Sequence, residues 1–333
     1  MELLSPAGSY KGFMGALNAG CDAVYLGGTR FGARAYAENF TDEEIIKAIE
    51  YAHLFGVKIY LTVNTLIKES EFSDVLSYVD LFYKAGLDGC IVQDLGLISV
   101  FHDHFPLMEC HISTQGFVTG TKGCRLFKAL GASRVVLARE LSLSEIRDIK
   151  SNVDVEIETF IHGAMCYSYS GNCLLSSCLG GRSGNRGRCA GPCRLEYSVI
   201  KDSFESAPGY YFSMKDQCAL PILPKLLEAG IDSLKIEGRM KKPEYSAFTT
   251  YVYRKYMDSY HENKKTFKVS TEDLDNLRHM YLRSDFGTGY YDRENGREMI
   301  TVGSPAYGGN DQDLMKDTAE RFLETGRKLE VSA

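Results

Sequence analysis

The chain has 333 residues, 44% hydrophobic and 25% charged, with a formal net charge of -6, enough for one large α/β barrel or two modest domains around a sizeable core. The acidic balance argues against a generally basic nucleic-acid-binding surface and leaves room only for a local basic patch. No apolar run reaches the length of a membrane span, and the N-terminal MELLSPAGSY lacks the basic-then-apolar pattern of a signal peptide.

These features imply a cytoplasmic protein. Thiols stay reduced there, so the ten cysteines point to metal binding or catalysis rather than to a disulfide framework.

In chain order, short apolar or β-branched runs alternate with helix-like segments. MELLSPAG leads into a helical pattern reaching Leu17. DAVYLGG at 22–28 is followed by a long loop and a helix over 42–55, with Thr41 as N-cap and Glu44 three residues on. KIYLTVN at 58–64 precedes a helix over 70–85, GCIVQD at 89–94 a short helix, and MECHIST at 108–114 a helix ending at Leu130. RVVLARE at 134–140 is followed by a helix opened by Ser142, with Glu145 at the capping-box spacing. VEIETFIHG at 155–163 runs into a cysteine-rich stretch. Beyond it a helix is expected over 218–229, and DSLKIEG at 232–238 is the last strand.

Eight strands result. Most helices end in a glycine-bearing turn just before the next strand (NAGCDAV, LFGVKI, KAGLDGC, LGASRV, EAGIDSL), as in successive right-handed βαβ units. The expected fold is α/β: a (β/α)8 TIM-like barrel with a Cys-rich insertion between strands 7 and 8 and a small C-terminal cap region. A doubly wound open sheet competes, but Ser5-Pro6-Ala7-Gly8 stands where its G-x-G-x-x-G fingerprint belongs. The barrel is assigned to 1–262, with the insertion at 164–217. The remainder, 263–333, is a polar extension with one amphipathic helix and a charged helix at its end.

Barrel active sites form where the strands end. Those ends carry Asn64, Gln93, Gln115, Arg139 and Arg239 as candidate substrate-binding residues, beside Ser5, Asp94, Ser113 and Glu140. Polar strand ends also meet water or cap helices, so the gathering of acids, amides and arginines on one rim is the signal. His111 sits mid-strand and reads as a core residue. His162 directly follows ETFI and is a candidate catalytic residue. Glu158, if it points inward, needs a partner or a shifted pKa. With Glu237 it is a candidate for moving protons.

The stretch AMCYSYSGNCLLSSCLGGRSGNRGRCAGPC spaces its thiols as Cys166-x6-Cys173-x4-Cys178-x10-Cys189-x3-Cys193, with Cys218 further on. That spacing matches neither a zinc ribbon nor a C-x-x-C redox pair, and neither H-E-x-x-H nor G-x-S-x-G occurs. An iron–sulfur cluster takes four thiolates and tolerates varied spacing. A zinc-stapled loop and free thiols stay open. Arg182, Arg186, Arg188 and Arg194 would offset anionic thiolates and bind a carboxylate or phosphate through paired hydrogen bonds.

ETFIHGAMCYSYSGNCLLSS resembles the signature of the peptidase U32 family, with Glu158, Phe160, Gly163, Cys166, Gly171, Cys173 and Ser176 in its pattern. LLSPAG, DAVYLGG, NRGRCAGPCR, FSMKDQCAL, SLKIEGRMKKPEY and FGTGYY extend the resemblance over nearly the whole chain. The family name implies collagenase-like proteolysis. Other relatives are implicated in hydroxylation without oxygen: of tRNA wobble uridine with prephenate as oxygen source, of a cytidine in 23S rRNA, and of ubiquinone precursors.

The resemblance implies a 4Fe–4S cluster on Cys166, Cys173 and Cys189, with Cys218 preferred to Cys193 as the fourth ligand and Cys178 outside the pattern. It implies an anionic oxygen donor such as prephenate, and as substrate either RNA (tRNA or rRNA) or a small anionic aromatic molecule. It also allows a paralogous partner subunit, and no membrane is involved. The long bacterial members carry a further C-terminal region, whereas this chain stops at LEVSA, as a short or a truncated member would.

Hydroxylation of an RNA base is the favoured function. The arginine-rich loop with Lys235, Arg239, Lys241 and Lys242 would supply local positive charge. A peptidase needs a nucleophile–base pair, and Cys166 with His162 is the best candidate, facing each other only if that segment were helical. A non-enzymatic RNA-processing accessory protein ranks last.

Overall fold

The computed structural model describes residues 1–33, 38–202, 204–292, 295–304 and 308–327. Seven strands, β1 (Glu2–Pro6), β2 (Ala23–Leu26), β3 (Lys58–Val63), β4 (Gly89–Val92), β5 (Glu109–Ile112), β6 (Arg134–Val136) and β7 (Glu156–Gly163), pair in sequence order, all parallel. After the insertion, which holds the hairpin β8 (Ile200–Lys201) and β9 (Phe204–Glu205) and the short strand β10 (Asp216–Cys218), β11 (Ser233–Ile236) pairs parallel with both β7 and β1. The sheet thereby closes into an eight-stranded barrel, and the open-sheet alternative falls away.

Helices α1 (Tyr10–Asn18), α2 (Asp42–His53), α3 (Phe72–Lys84), α4 (Leu95–His104), α5 (Thr121–Ala129) and α6 (Leu143–Asn152) follow β1 to β6 in turn. The start signals read from the sequence hold. Thr41 and Ser142 each accept from the backbone N–H of a Glu three residues on, whose carboxylate returns the bond. Later come α7 (Leu175–Gly180) in the insertion, α8 (Leu223–Glu228), α9 (Pro243–Glu262), α10 (Thr271–Met280) and α11 (Gln312–Thr318), the last running into a π turn over Ala319–Leu323.

One expected element differs. The stretch at 218–229 is not a single helix, because Cys218 lies in β10, pairs antiparallel with β7 and precedes a turn carrying Pro221. Backbone bonds to β7 draw it into the sheet. The extension after 262 packs back on the barrel. α10 lies on α9, the π turn on α1, and β12 (Phe286–Gly287) adds to β10.

Strand alternation sorts the side chains. Leu3, Val24, Leu61, Cys90, Ile112, Val135, Ile157 and Leu234 face the helices and join one continuous apolar core. Leu4, Ala23, Tyr25, Tyr60 and Ile91 fill the barrel interior. That interior also takes buried polar groups: His111, Arg134, Glu158 and Lys235.

Candidate active site

The interior charges form a chain at the N-terminal floor of the barrel. Lys235 Nζ lies 2.7 Å from Glu158 Oε1, and Arg134 Nη1 lies 3.3 Å from Glu158 Oε2 and also reaches Glu2. Glu2 takes bonds from Tyr60 and Ser233. Burial would raise the Glu158 carboxyl, but Lys235 and Arg134 outweigh it and hold it below the usual range. Glu158, expected to move protons at the rim, is instead the centre of a buried salt-bridge chain with Lys235 and Arg134. Its position as the third residue of the eight-residue β7 sets this depth.

His162 also departs from expectation. Parity from Phe160 would aim it into the barrel, but the β7–β11 register slips, pairing Lys235 with Phe160 and Ile236 with His162. The extra residue turns His162 to the helix side. There its Nδ1 lies 3.3 Å from the Tyr253 hydroxyl of α9, and its ring packs on Tyr253, Tyr245 and Phe286. Burial, against the pull of Asp216 and Glu237, lowers its pKa to about 4, so the ring is neutral.

Cys218 is the strand partner of His162 and shares that environment. It is buried in the apolar core, its sulfur is 3.9 Å from the same Tyr253 hydroxyl, and burial pushes its pKa up to about 11.

Five thiols lie in the insertion, where Cys166, Cys178 and Cys189 are exposed and Cys173 and Cys193 half-buried. Burial raises the Cys193 thiol against the opposing pull of Arg194, with smaller contributions from Cys166 and Cys189. The Gly191 N–H donates to Cys189 Sγ at 3.3 Å. As a cradle for a metal cluster the set does not close: among the described residues no three His, Cys, Asp or Glu side chains converge as ligands would. Cys166, Cys189 and Cys193 share the insertion, whereas Cys218 lies against α9.

Arg194 ties this group to the barrel. It donates to Met214 O at 2.7 Å, to Ser213 Oγ at 3.0 Å and to Met165 O, and it lies within the electrostatic reach of Arg283, Cys193, Asp216 and Cys166. Arg283 grips Asp216 through Nε at 2.9 Å and Nη2 at 2.7 Å. Lys241, lowered to about 8 by burial against the opposing pull of Glu237, lies near the same pair. Glu237, a sequence candidate, is buried at the end of β11 among these charges. The pairing of Asp216 with Arg283 was not legible in the sequence, since 67 residues separate them and Arg283, unlike Asp216 in FSMKDQCAL, sits in no motif.

The remaining candidates divide. Arg239 crosses the mouth from the end of β11 to bond Thr62 Oγ1 at 2.7 Å, and Arg139 stacks 3.9 Å above the Phe160 ring. Gln93 Nε2 donates to the Gln115 carbonyl at 3.3 Å, and each side-chain Oε1 is buried without a partner in the described structure. These four line the mouth. Asn64 is occupied instead, its Oδ1 accepting the Ala33 N–H. Arg182, Arg186 and Arg188 are exposed on the insertion. Arg186 straps it to Leu66 O and Glu71, and Arg182 bonds the Arg188 carbonyl. The insertion is seated closely, for Gly171 sits at φ +74° and a Cβ there would lie 2.3 Å from the Gln115 carbonyl.

The resulting site is a barrel mouth in which Arg139, Arg239, Arg194, Arg283 and Lys241 outnumber the acids Asp216 and Glu237, with exposed thiols on the insertion. It suits an anionic, carboxylate-bearing molecule.

The model of the family described as peptidase family U32 matches residues 8–301. The tRNA hydroxylation protein P1 of Bacillus subtilis (strain 168) is 39% identical over 313 residues, covering 92% of this chain and 74% of the relative. The 23S rRNA 5-hydroxycytidine C2501 synthase of Escherichia coli (strain K12) is 39% identical over 266 residues, 79% of this chain and 40% of that protein. A collagenase of Porphyromonas gingivalis (strain ATCC BAA-308 / W83) is 36% identical over 276 residues, 78% of this chain and 66% of that protein.

Proposed function

The chain belongs to peptidase family U32, and on that premise we propose that it is an oxygen-independent hydroxylase of a pyrimidine in tRNA or rRNA, acting in the cytoplasm. The observation that carries this reading is the pairing of a barrel mouth bearing Arg139 and Arg239 with the exposed thiols Cys166 and Cys189 of the insertion. The names of the two hydroxylation relatives support it.

Turning a ring C–H into C–OH removes two electrons from the base. The donor must therefore give up a hydroxyl, take the hydrogen and leave reduced by two electrons. A carboxylate-bearing donor such as prephenate fits the mouth, where Arg139 and Arg239 would hold its anionic groups. Lys241, whose pKa lies near 8, is suited to exchange a proton with a bound anion.

The proposed cofactor is a 4Fe–4S cluster on Cys166, Cys173 and Cys189, with Cys193 or Cys218 as fourth ligand. Such a cluster supplies redox-active iron when bound. Loading it would require the insertion to draw its thiols together. A paralogous partner subunit stays part of the proposal as one source of a missing ligand.

The collagenase-named relative keeps a peptidase as the second reading. The buried, α9-facing His162 weighs against it, since Cys166 then lacks that histidine as its base.

The test is anaerobic purification with iron and acid-labile sulfide counted, together with mass spectrometry of RNA nucleosides from cells lacking the chain and from the same cells complemented. About four irons and four sulfides per chain, with a hydroxylated pyrimidine lost and then restored, are expected. An iron-free, folded protein that cleaves a collagen peptide and leaves RNA nucleosides unchanged would overturn the reading.

A further inference from the structure

Beside the mouth, a cleft of about 1050 Å³ opens between the start of α6 and the beginning of the insertion. Tyr167 and Tyr169, flanking the thiol-bearing turn, are 48% and 61% exposed, far more than rings usually are. Each ring is held by one neighbouring ring. Tyr169 meets Phe117 at 5.7 Å in a T-shaped contact, and Tyr167 meets Phe212 at 5.1 Å, nearly perpendicular. Phe117 is itself held in the left-handed region at φ +53°, a conformation that phenylalanine rarely adopts. Tyr290 lines the same cleft.

Glu140 closes one end of the cleft. Its Oε1 accepts from the Ser170 N–H at 2.9 Å and the Ser170 hydroxyl at 3.2 Å, whereas its buried Oε2 has no partner in the described structure. A carboxylate oxygen buried without a donor calls for one. The cleft therefore offers two exposed tyrosine rings and one buried acceptor. A planar ring with an N–H edge satisfies both.

We propose that this cleft is a stacking subsite for an unpaired RNA base, with Tyr167 and Tyr169 as the platform and Glu140 Oε2 accepting from the base's exocyclic amino N–H. The assignment rests on the reading that the chain modifies RNA. It names how an acidic protein holds RNA: ring stacking on single-stranded nucleotides supplies the affinity that a sparse phosphate-binding surface does not. The rings share their segment with Cys166, so the stacked base is a neighbour of the reacting one. Lys225, on the cleft wall, is already paired with Asp292 at 2.8 Å and leaves the stacking term dominant.

The test is fluorescence anisotropy of the full chain with end-labelled single-stranded RNA oligonucleotides. Tyr167→Ala and Tyr169→Ala are each expected to weaken binding by about tenfold, and Tyr169→Phe to restore it, since the ring face remains. Glu140→Gln is expected to weaken cytidine- and guanosine-containing oligonucleotides more than oligouridine. Because both tyrosines are exposed, their truncation leaves the core intact, which circular dichroism checks. Nucleoside hydroxylation in complemented cells is read separately. Unchanged RNA affinity in both alanine variants, with hydroxylation intact, overturns the subsite and leaves the hydroxylase standing. A wild type that ignores RNA but binds a proline-rich peptide, with binding lost in the same variants, overturns both.

Discussion

Lys235 Nζ sits 2.7 Å from Glu158 Oε1 inside the barrel, with both side chains almost wholly buried. Removing one partner of a buried ion pair leaves the other charged and unpaired. Lys235→Met is therefore expected to lower stability by about 3–5 kcal/mol, read as a reduced urea midpoint with an unchanged slope. Arg134 still reaches Glu158, so the loss falls toward the lower end of that range. A variant as stable as wild type would show that the pair does not hold the barrel floor together.

Acid should weaken the fold in two stages. His162 is neutral when folded, with its pKa held at about 4 against an ordinary 6.5. The unfolded chain thus binds the proton first. The stabilisation is whole above pH 6.5 and is lost as pH falls toward 4. Glu109 acts lower. Burial would raise it, but His111 and Lys58 hold it at about 2 against an ordinary 4.5, so its contribution is present above 4.5 and lost as pH falls toward 2. His162→Leu should flatten the first stage by close to one proton and leave the second. Denaturation at a series of pH values measures both, and an unflattened slope in the variant would refute the assignment.

Thiol reactivity should follow burial. In metal-free native protein, Cys166, Cys178 and Cys189 are expected to react fastest with a thiol reagent and the half-buried Cys173 and Cys193 more slowly. Cys21, Cys90, Cys110, Cys124 and Cys218 should react only on unfolding. Quantifying each labelled peptide decides it. Rapid labelling of Cys218 would mean that β10 detaches from β7 in solution and would return Cys218 to the exposed group.

Gly171→Ala probes the seat of the insertion. The residue has φ +74°, and the added methyl would meet the Gln115 carbonyl at 2.3 Å. A cost of about 1–3 kcal/mol is expected, and it should be local. Limited proteolysis should cut the insertion faster while hydrogen exchange in the barrel strands stays unchanged. Exchange rising uniformly across the barrel would contradict a local seat.

The barrel was legible because its signals are local. Strand-length apolar runs, the Thr41–Glu44 and Ser142–Glu145 caps and the glycine turns before strands each rest on a few adjacent residues, and each appears in the structure. Mouth residues at strand ends were legible too, because strand order fixes which end they occupy. Gln93, Gln115, Arg139 and Arg239 gather there. Glu158 and His162 were misplaced in function for a geometrical reason. Depth along β7 decides whether an inward acid meets solvent or Lys235, and one slipped register turns His162 to the other face. The slip follows from how β7 and β11 pair, some 75 residues apart, and no window of sequence contains it.

The sequence by itself determined the alternation of strands and helices, the family signature and the presence of a thiol- and arginine-rich insertion, because composition, periodicity and motifs are properties of neighbours along the chain. Which thiols are exposed, which charges are buried in pairs and which rings stand at the surface follow only from the closed fold. Cys218 left the expected group because backbone bonds carried it into β10 beside His162. Asp216 and Arg283 entered the site because the extension folds back over the barrel. Proximity across a closed sheet is set by packing and hydrogen-bond register, and these are fixed only when the whole barrel closes.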